Sequence, residues 1–478
     1  MYRNPPINPF SYSLSRGDFV LIGREELLGE IGRVITQTPP DDRDLHGLPQ
    51  MGKTTLLRYI AGPQFIERYR DTFIKPFNEH PERLFFVFVS GWNAGTHPFL
   101  VLHHDYYRQY RAWQAQHPEL AELSPGEPVA RDAAHALEML ESHLWALYQR
   151  GYRPVILFDD FAGEAAFGAL DLDETTRLGL WKDYCSLIFA TERLLEEVNP
   201  RAKGSPLFKR LTPAEVRPML PAEAEEFLRV VVDGHNSTLP AAERIALPDA
   251  EIAEVVALAG GFPYLLMLGG REVWELRREL GLPARPDVLL PDGARLDLMN
   301  RLAEVFARTF DLYYRNLSEE RREVLLELAR RDVDSAETMR EIGRRTQHLG
   351  WLTKYGLVTM RPNGDRVLFS PLFRDFLLSL DAQTSAEETG QTPALPRQQA
   401  DLYATFRGRP NEPLSYTELG SAVWGWPAGR RDEEIDEDEK RKIHLAIHKL
   451  RAELDRTGRG ERIVNVRKRG YRYEPGAG

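Results

Sequence analysis

Three stretches, LFFVFVS (84–90), PVILFDD (154–160) and SLIFAT (186–191), are nearly continuous in apolar, β-branched and aromatic residues. Apolar runs of this length without polar alternation predict strands buried on both faces, as in a parallel sheet. Between them, AAHALEMLESHLWALYQRG (133–151) has apolar residues at helical spacing and ends at a glycine suited to a helix C-terminus. Strands alternating with helices predict an α/β sheet with helices on its faces.

After about residue 220 the strand signal stops. AEAEEFLRVVVD, DAEIAEVVALAG and PYLLMLGGREVWELRREL predict a helical subdomain. From Leu317, LSEERREVLLELARR leads through further helix to LVTMRPNGDRVLFS, where Asn363-Gly364 between two apolar runs predicts a hairpin, and the whole a winged helix. DAQTSAEETGQTPALPRQQ (381–399) is polar and aperiodic and predicts a flexible linker. Beyond it, LYATF, SYTELGSAVWG and KRKIHLAIHKLRAEL predict helices, and RIVNVRKRGYRYEP a terminal hairpin. No period of the kind that marks solenoid arrays is present.

At 478 residues, 42% hydrophobic and 28% charged, the chain has the composition of folded globular proteins and the length of about three domains. Its one cysteine, Cys185, makes no internal disulfide and is expected in the core. The N-terminus lacks a signal-peptide layout and no apolar run reaches a bilayer span, so a cytoplasmic protein without a membrane partner is expected. The net charge of -10 conceals a basic end: residues 440–478 hold 12 Lys or Arg against 4 Asp or Glu.

HGLPQMGKTTLL (46–57) contains G-x-x-x-x-G-K-T. In such a loop the glycines let backbone N–H groups curl around phosphates, the lysine neutralises them, and the hydroxyl ligates magnesium. Gly47, Gly52, Lys53 and Thr54 supply those parts, and Thr55 continues into a helix whose positive N-terminal dipole lies under the anion. VILFDD places Asp159 at the magnesium position with Thr54, and Asp160 where it polarises an attacking water. ATP or ADP with Mg2+ are the cofactors these parts predict. The residues ahead of the loop, DDRDLH, offer only Leu45 as a buried side chain, so a very short or poorly packed strand is expected there.

NPF (8–10), FVLIGREELLGEI (19–31), GKTTLLR, VILFDDF, IFATERLL (188–195), SPLFKR (205–210), PAEAEEFL (221–228) and GGFPYLL (260–266) occur in an order that resembles the prokaryotic STAND class of AAA-like signal-transduction ATPases, over about residues 8–380. The resemblance implies that Gly23 and Arg24 sit by the adenine, that Thr191 or Arg193 occupies the sensor position, and that Pro263 packs on the nucleotide from a helical lid. Relatives usually carry Asp-Glu where this chain has Asp159-Asp160, so slow or absent hydrolysis of ATP to ADP and phosphate is expected.

Residues 400–475 resemble the OmpR/PhoB-type winged-helix output domain, through E-L-x-x-x-V-W-G (418–425), Ile447, Leu450 and Arg451, and V-R-x-x-G-Y-R (466–472). A helix with Lys442, His444, Lys449 and Arg451 is expected in the major groove of double-stranded DNA while Ile443, Ile447 and Leu450 face the core. Arg467, Lys468, Arg469 and Tyr471 on the hairpin are expected at the duplex too. The acidic run RRDEEIDEDEK (430–440) is either a solvated loop or a shield for the basic helix.

The expected architecture is a P-loop parallel-sheet core (1–215), a helical lid (216–300), a winged helix (301–380), a linker (381–399) and a second winged helix (400–478). A transcriptional regulator switched by ATP is the leading expectation, with a homo-oligomer among its forms. A DNA-associated oligomeric ATPase of phage defence, mobile elements or replication is the alternative. His103, His104 and Asp105 lack a third group at defined spacing for a metal, and Arg177 and Lys209 are either trans-acting fingers or surface charges.

Overall fold

The computed structural model describes residues 8–10 and 21–475, except 93–94, 124–128, 162–165, 238, 241–243, 245, 284, 331–345, 362–363, 389–396, 425, 427–430, 432–434, 436–442, 444–445, 448–449, 452–453, 455–461 and 467–469. The chain divides into two compact units, Met1–Phe376 and Leu377–Gly478.

The first unit is built on a five-stranded, all-parallel sheet of β1 (Asp42–His46), β2 (Leu84–Val89), β3 (Arg153–Phe158), β4 (Ser186–Thr191) and β5 (Leu211–Glu215), in the order β2-β3-β4-β1-β5. The three apolar runs became β2, β3 and β4. Helix α1 (Glu25–Thr36) precedes β1, α2 (Lys53–Ile60) follows it, α4 (Pro98–Gln114) packs on β2, and α5 (Ala133–Gln149) packs on β3. Helix α3 (Pro63–Tyr69) lies between α2 and β2 in the chain. Asp132 caps α5 through the His135 N–H, and Gly151 follows the helix with φ +80°.

The expectation of a poorly packed strand before the loop is corrected. All five residues of β1 are buried, and Asp42, Arg43 and Asp44 find partners on neighbouring elements, while Arg43 Nε and His46 Nε2 are left without a hydrogen bond. Asp42 accepts from the Leu187 N–H at 2.9 Å and faces the Arg210 guanidinium at 3.0 Å. Arg43 reaches Glu30 and Asp41. Asp44 accepts from the Thr191 hydroxyl and the Leu195 N–H. A strand that looks solvated in sequence is buried because neighbouring strands and helices bring the partners. The other strand that periodicity missed is β5, an edge strand reading LTPAE.

Beyond the sheet, α6 (Leu172–Leu180), α7 (Leu195–Val198) and α8 (Pro206–Arg210) flank β4 in the chain, and α9 (Pro221–Ser237), α10 (Asp249–Ala259) and α11 (Pro263–Glu279) pack together as the helical segment expected as a lid. A buried ion pair, Glu251 with Arg277 at 2.7 Å, joins α10 to α11. Helix α12 (Asp292–Arg315) runs unbroken across the boundary expected at residue 300. It leads to α13 (Glu319–Arg330), α14 (Thr346–Lys354) and the antiparallel pair β6 (Val358–Met360) and β7 (Arg366–Leu368). The hairpin closes through the Gly364 N–H to the Arg361 carbonyl, with Gly364 at φ +88°. Phe262, Tyr313, Phe310, Phe369 and Phe373 pack in tilted and edge-on pairs into one aromatic cluster that fastens α11 and α12 to the hairpin.

Helix α15 (Pro371–Glu388) takes up residues 381–388 of the expected linker. The second unit continues with α16 (Arg397–Gly408), β8 (Pro413–Leu414), α17 (Tyr416–Trp424), β9 (Arg462–Val466) and β10 (Gly470–Glu474), the strands ordered β8-β10-β9 and antiparallel. Ile443, Ile447 and Leu450 are buried with Leu402, Phe406 and Leu419. No helix among the described residues is long and apolar enough to cross a membrane.

Candidate functional site

Sheet order decides where the chemistry gathers. In this topology β4 lies between β1 and β3, with His46 in register with Thr191 and Phe158 with Phe189, so the loop after β1 and the acids after β3 emerge on the same edge. The carboxyl edge of an open parallel sheet is where such folds bind ligands.

The loop is tied to its neighbours at its start, where the Gly47 N–H donates to the Thr191 carbonyl at 3.2 Å and the Val216 N–H to the His46 carbonyl at 2.9 Å. A Cβ on residue 47 would stand 2.8 Å from the Val216 carbonyl oxygen, so only glycine fits. At the far end Gly52 has φ +83° and caps α2, and the space a side chain would take there is open. The first N–H groups of α2 have no intrahelical acceptor, which suits them to an anion.

Lys53 folds back over the loop, its ammonium donating to the carbonyls of Gly47 at 2.8 Å and Leu48 at 2.9 Å. Enclosure pushes its pKa down to about 8, against the pull of Glu192, Asp160 and Asp159. Thr54 donates its hydroxyl to Asp159 at 2.9 Å. Asp159 is buried, held by its backbone to Val89 and by its carbonyl to the Trp92 indole, and burial raises its pKa. Thr54 and Asp159 form a pair of hard oxygen donors beside an ammonium, a set that fits a magnesium-bound phosphate. Thr55 is half-buried in the first turn of α2. Asp160 is exposed, with φ +53°.

The remaining expected site residues have different surroundings. Thr191 is buried and gives its hydroxyl to Asp44 at 2.6 Å, so its proton is already committed. Arg193 is exposed. Gly23, at φ +69°, lies against the Glu223 carboxylate, which is itself paired with Arg217 at 2.7 Å. Arg24 is buried, donates to the Arg217 carbonyl at 2.6 Å, and burial lowers its pKa to about 10. Gly23 and Arg24 therefore clasp the start of the lid. Pro263 opens α11 just after Gly261, where a Cβ would collide with the Met219 carbonyl.

Sequence reasoning passed over Glu192, whose half-buried carboxylate shares the electrostatic environment of Lys53 and Asp160. Its position directly after the β4 run was the available signal. Arg177 is paired with Glu141 at 2.6 Å and Lys209 is exposed. Cys185 is fully buried, and among the described residues no group of three or more His, Cys, Asp or Glu could hold a metal.

In the second unit, Lys442, His444, Lys449, Arg467, Lys468, Arg469 and most of the acidic run lie outside the described residues. Two expected DNA-contacting side chains are held within the domain. Tyr471 is 2% exposed in its core, and Arg451 donates to the Ile463 carbonyl at 2.7 Å with its guanidinium over the Tyr471 ring.

Residues 390–473 match the family model described as "Transcriptional regulatory protein, C terminal". The chain therefore joins a five-stranded parallel-sheet core, with a G-x-x-x-x-G-K-T loop after β1, to a C-terminal domain of the transcription-regulator class. The chain is also similar to the Walker-type ATPase of Pyrococcus abyssi, at 16% identity over 75% of this chain and 96% of that one, TM-score 0.46. It is similar to the ORC2 protein of Aeropyrum pernix in its ADPNP–ADP complexes, at 14% identity over 79% and 98%, TM-score 0.44. A third likeness is to the RuvB Holliday junction branch migration motor of Thermotoga maritima, at 14% identity over 78% and 96%, TM-score 0.33. No curated protein matches the chain.

Proposed function

We propose that the chain is an ATP-dependent signal-transduction switch of the STAND type, in which the nucleotide state of the first unit governs DNA binding by the second. The observation that carries this reading is the Lys53, Thr54 and Asp159 cluster at the carboxyl edge of the sheet, in a chain that ends in a transcription-regulator domain.

Gly47, Gly52 and the start of α2 would hold the phosphates, Lys53 would exchange its loop carbonyls for phosphate oxygens, and Thr54 with Asp159 would hold the magnesium. Bound magnesium supplies charge neutralisation at the terminal phosphates. Gly23 and Arg24 meet the start of the lid and Pro263 opens its helix α11, so the lid's pose on the sheet is the element a nucleotide would bias. Basic residues of the last 39, Arg467 and Arg469 first, would contact DNA phosphates.

The test is full-chain binding to a random-sequence duplex library without nucleotide, with ADP–Mg, and with a non-hydrolysable ATP analogue and Mg. DNA affinity should differ about tenfold or more between the last two, a coupling of about 1.4 kcal/mol. Equal affinity in all three states would overturn the switch. Strong DNA-stimulated hydrolysis with ring or filament formation would instead favour the DNA-associated motor.

A further inference from the structure

We propose that Glu192 is the carboxylate that orients and deprotonates the attacking water at this site, and that Asn316 positions it, tying hydrolysis to the junction between lid and winged helix. The inference rests on reading the loop as an ATP site.

Topology puts Glu192 in place. It follows Thr191, the last residue of β4, whose carbonyl receives the Gly47 N–H of the phosphate loop. On the other side of β4 stands β3, which ends just before Asp159. The residue leaving β4 is thus flanked by the loop and by the acidic pair. Among the charges that favour the protonated Lys53, Glu192 comes first, ahead of Asp160 and Asp159. Burial raises its own pKa, as suits a group that must take up a proton.

The expected alternatives are less well placed. Asp160 is one methylene shorter than glutamate and exposed, and the Thr191 hydroxyl is engaged in donating to Asp44. Glu192 has a restraint of its own, since the Asn316 side-chain amide donates to Oε2 at 3.5 Å. Asn316 caps the C-terminus of α12, the 24-residue helix that leads from the lid to α13. At 3.5 Å the contact is at the weak end of hydrogen bonding and leaves the basicity of the carboxylate largely intact. A shift of α12 would release or aim Glu192, which gives the winged-helix region a route to the reaction.

Glu192 accepts the proton of the water as the water oxygen bonds to the terminal phosphorus and the bridging oxygen departs on the nucleoside diphosphate with the bond's electron pair. The proton then passes to the phosphate product.

The experiment uses the full chain with ATP–Mg. Glu192→Gln should lose about 100-fold or more in kcat. Its ATP affinity should hold or tighten relative to ADP, because a like charge near the terminal phosphate is gone, and nucleotide recovered from the incubated protein should be ATP. Intact ATP binding shows that the variant folds. Asp160→Asn should cost less than Glu192→Gln. Asn316→Ala should lower kcat with the ATP Kd unchanged, and Asn316→Gln should restore part of the loss, which a merely structural role would not produce. Parent-rate turnover in Glu192→Gln, or a parent that binds ATP and never hydrolyses it, would overturn the proposal. Lys53→Ala separates the two readings: if it still binds ATP the nucleotide site itself is wrong, whereas if it loses ATP while Glu192→Gln turns over normally only the role of Glu192 falls.

Discussion

Asp44 on β1 accepts a 2.6 Å hydrogen bond from the Thr191 hydroxyl on the central strand β4, and its second oxygen accepts the Leu195 N–H at 3.1 Å. One buried carboxylate thus fixes both the end of β4 and the turn that carries Glu192. Asp44→Ala strands a buried hydroxyl and a buried N–H, so it should destabilise the first unit by about 2–4 kcal/mol in urea unfolding. Asp44→Asn, which retains an acceptor, should cost less. Equal costs would show that the hydrogen bonds do not set the penalty.

Asp42 should give the first unit a pH signature. Burial pushes its pKa up to about 7 in spite of Arg210 and the Leu187 N–H, with Asp41 and Arg43 also acting on it. A carboxyl group with a raised folded pKa contributes most stability below its unfolded pKa and loses it as the pH rises towards 7. The stability of the parent relative to Asp42→Asn should therefore fall by about 2–3 kcal/mol between pH 5 and 8, at about 1.4 kcal/mol per pKa unit. Denaturant unfolding of both proteins at the two pH values measures it, and a difference independent of pH would contradict the burial argument.

The 2.9 Å contact between Thr54 and Asp159 makes magnesium dependence specific to that pair. Asp159→Asn and Thr54→Ala should each weaken ATP binding with magnesium by tenfold or more while leaving magnesium-free binding nearly unchanged. Fluorescent-nucleotide titration with and without chelator resolves the two. Loss of both modes together would point to collapse of the loop.

Tyr471 and Arg451 should act on the fold of the second unit, whereas Arg467 and Arg469 should act on DNA. Tyr471→Ala opens a cavity in the domain core and should cost about 3–5 kcal/mol, seen as lost hydrogen-exchange protection across β9 and β10. Arg467→Ala with Arg469→Ala should leave that protection intact and lower the salt slope of DNA binding. A normal slope in that double variant would remove the hairpin from the interface.

The apolar strands and the helices from Pro221 onward were legible because their side chains declare their surroundings by periodicity alone. The loop was legible because Gly47, Gly52, Lys53 and Thr54 fall within eight consecutive positions and each has a backbone or charge reason to be there. β1 was not. Asp42, Arg43 and Asp44 read as solvent-facing, and their partners, Arg210, Glu30 and Thr191, are brought to them only by the fold. Glu192 was hidden for the same reason, since its link to Asn316 spans 124 positions. The burial of Tyr471 was not legible either, because an aromatic residue in a basic hairpin reads from sequence as a nucleic-acid contact.

Calorimetric titration of the full chain with ATP–Mg, parent beside Lys53→Ala, probes the phosphate cradle most directly. Saturable one-site binding in the parent, lost or weakened at least 100-fold in the variant, is the predicted result. Matching isotherms, or no heat from either, would contradict it.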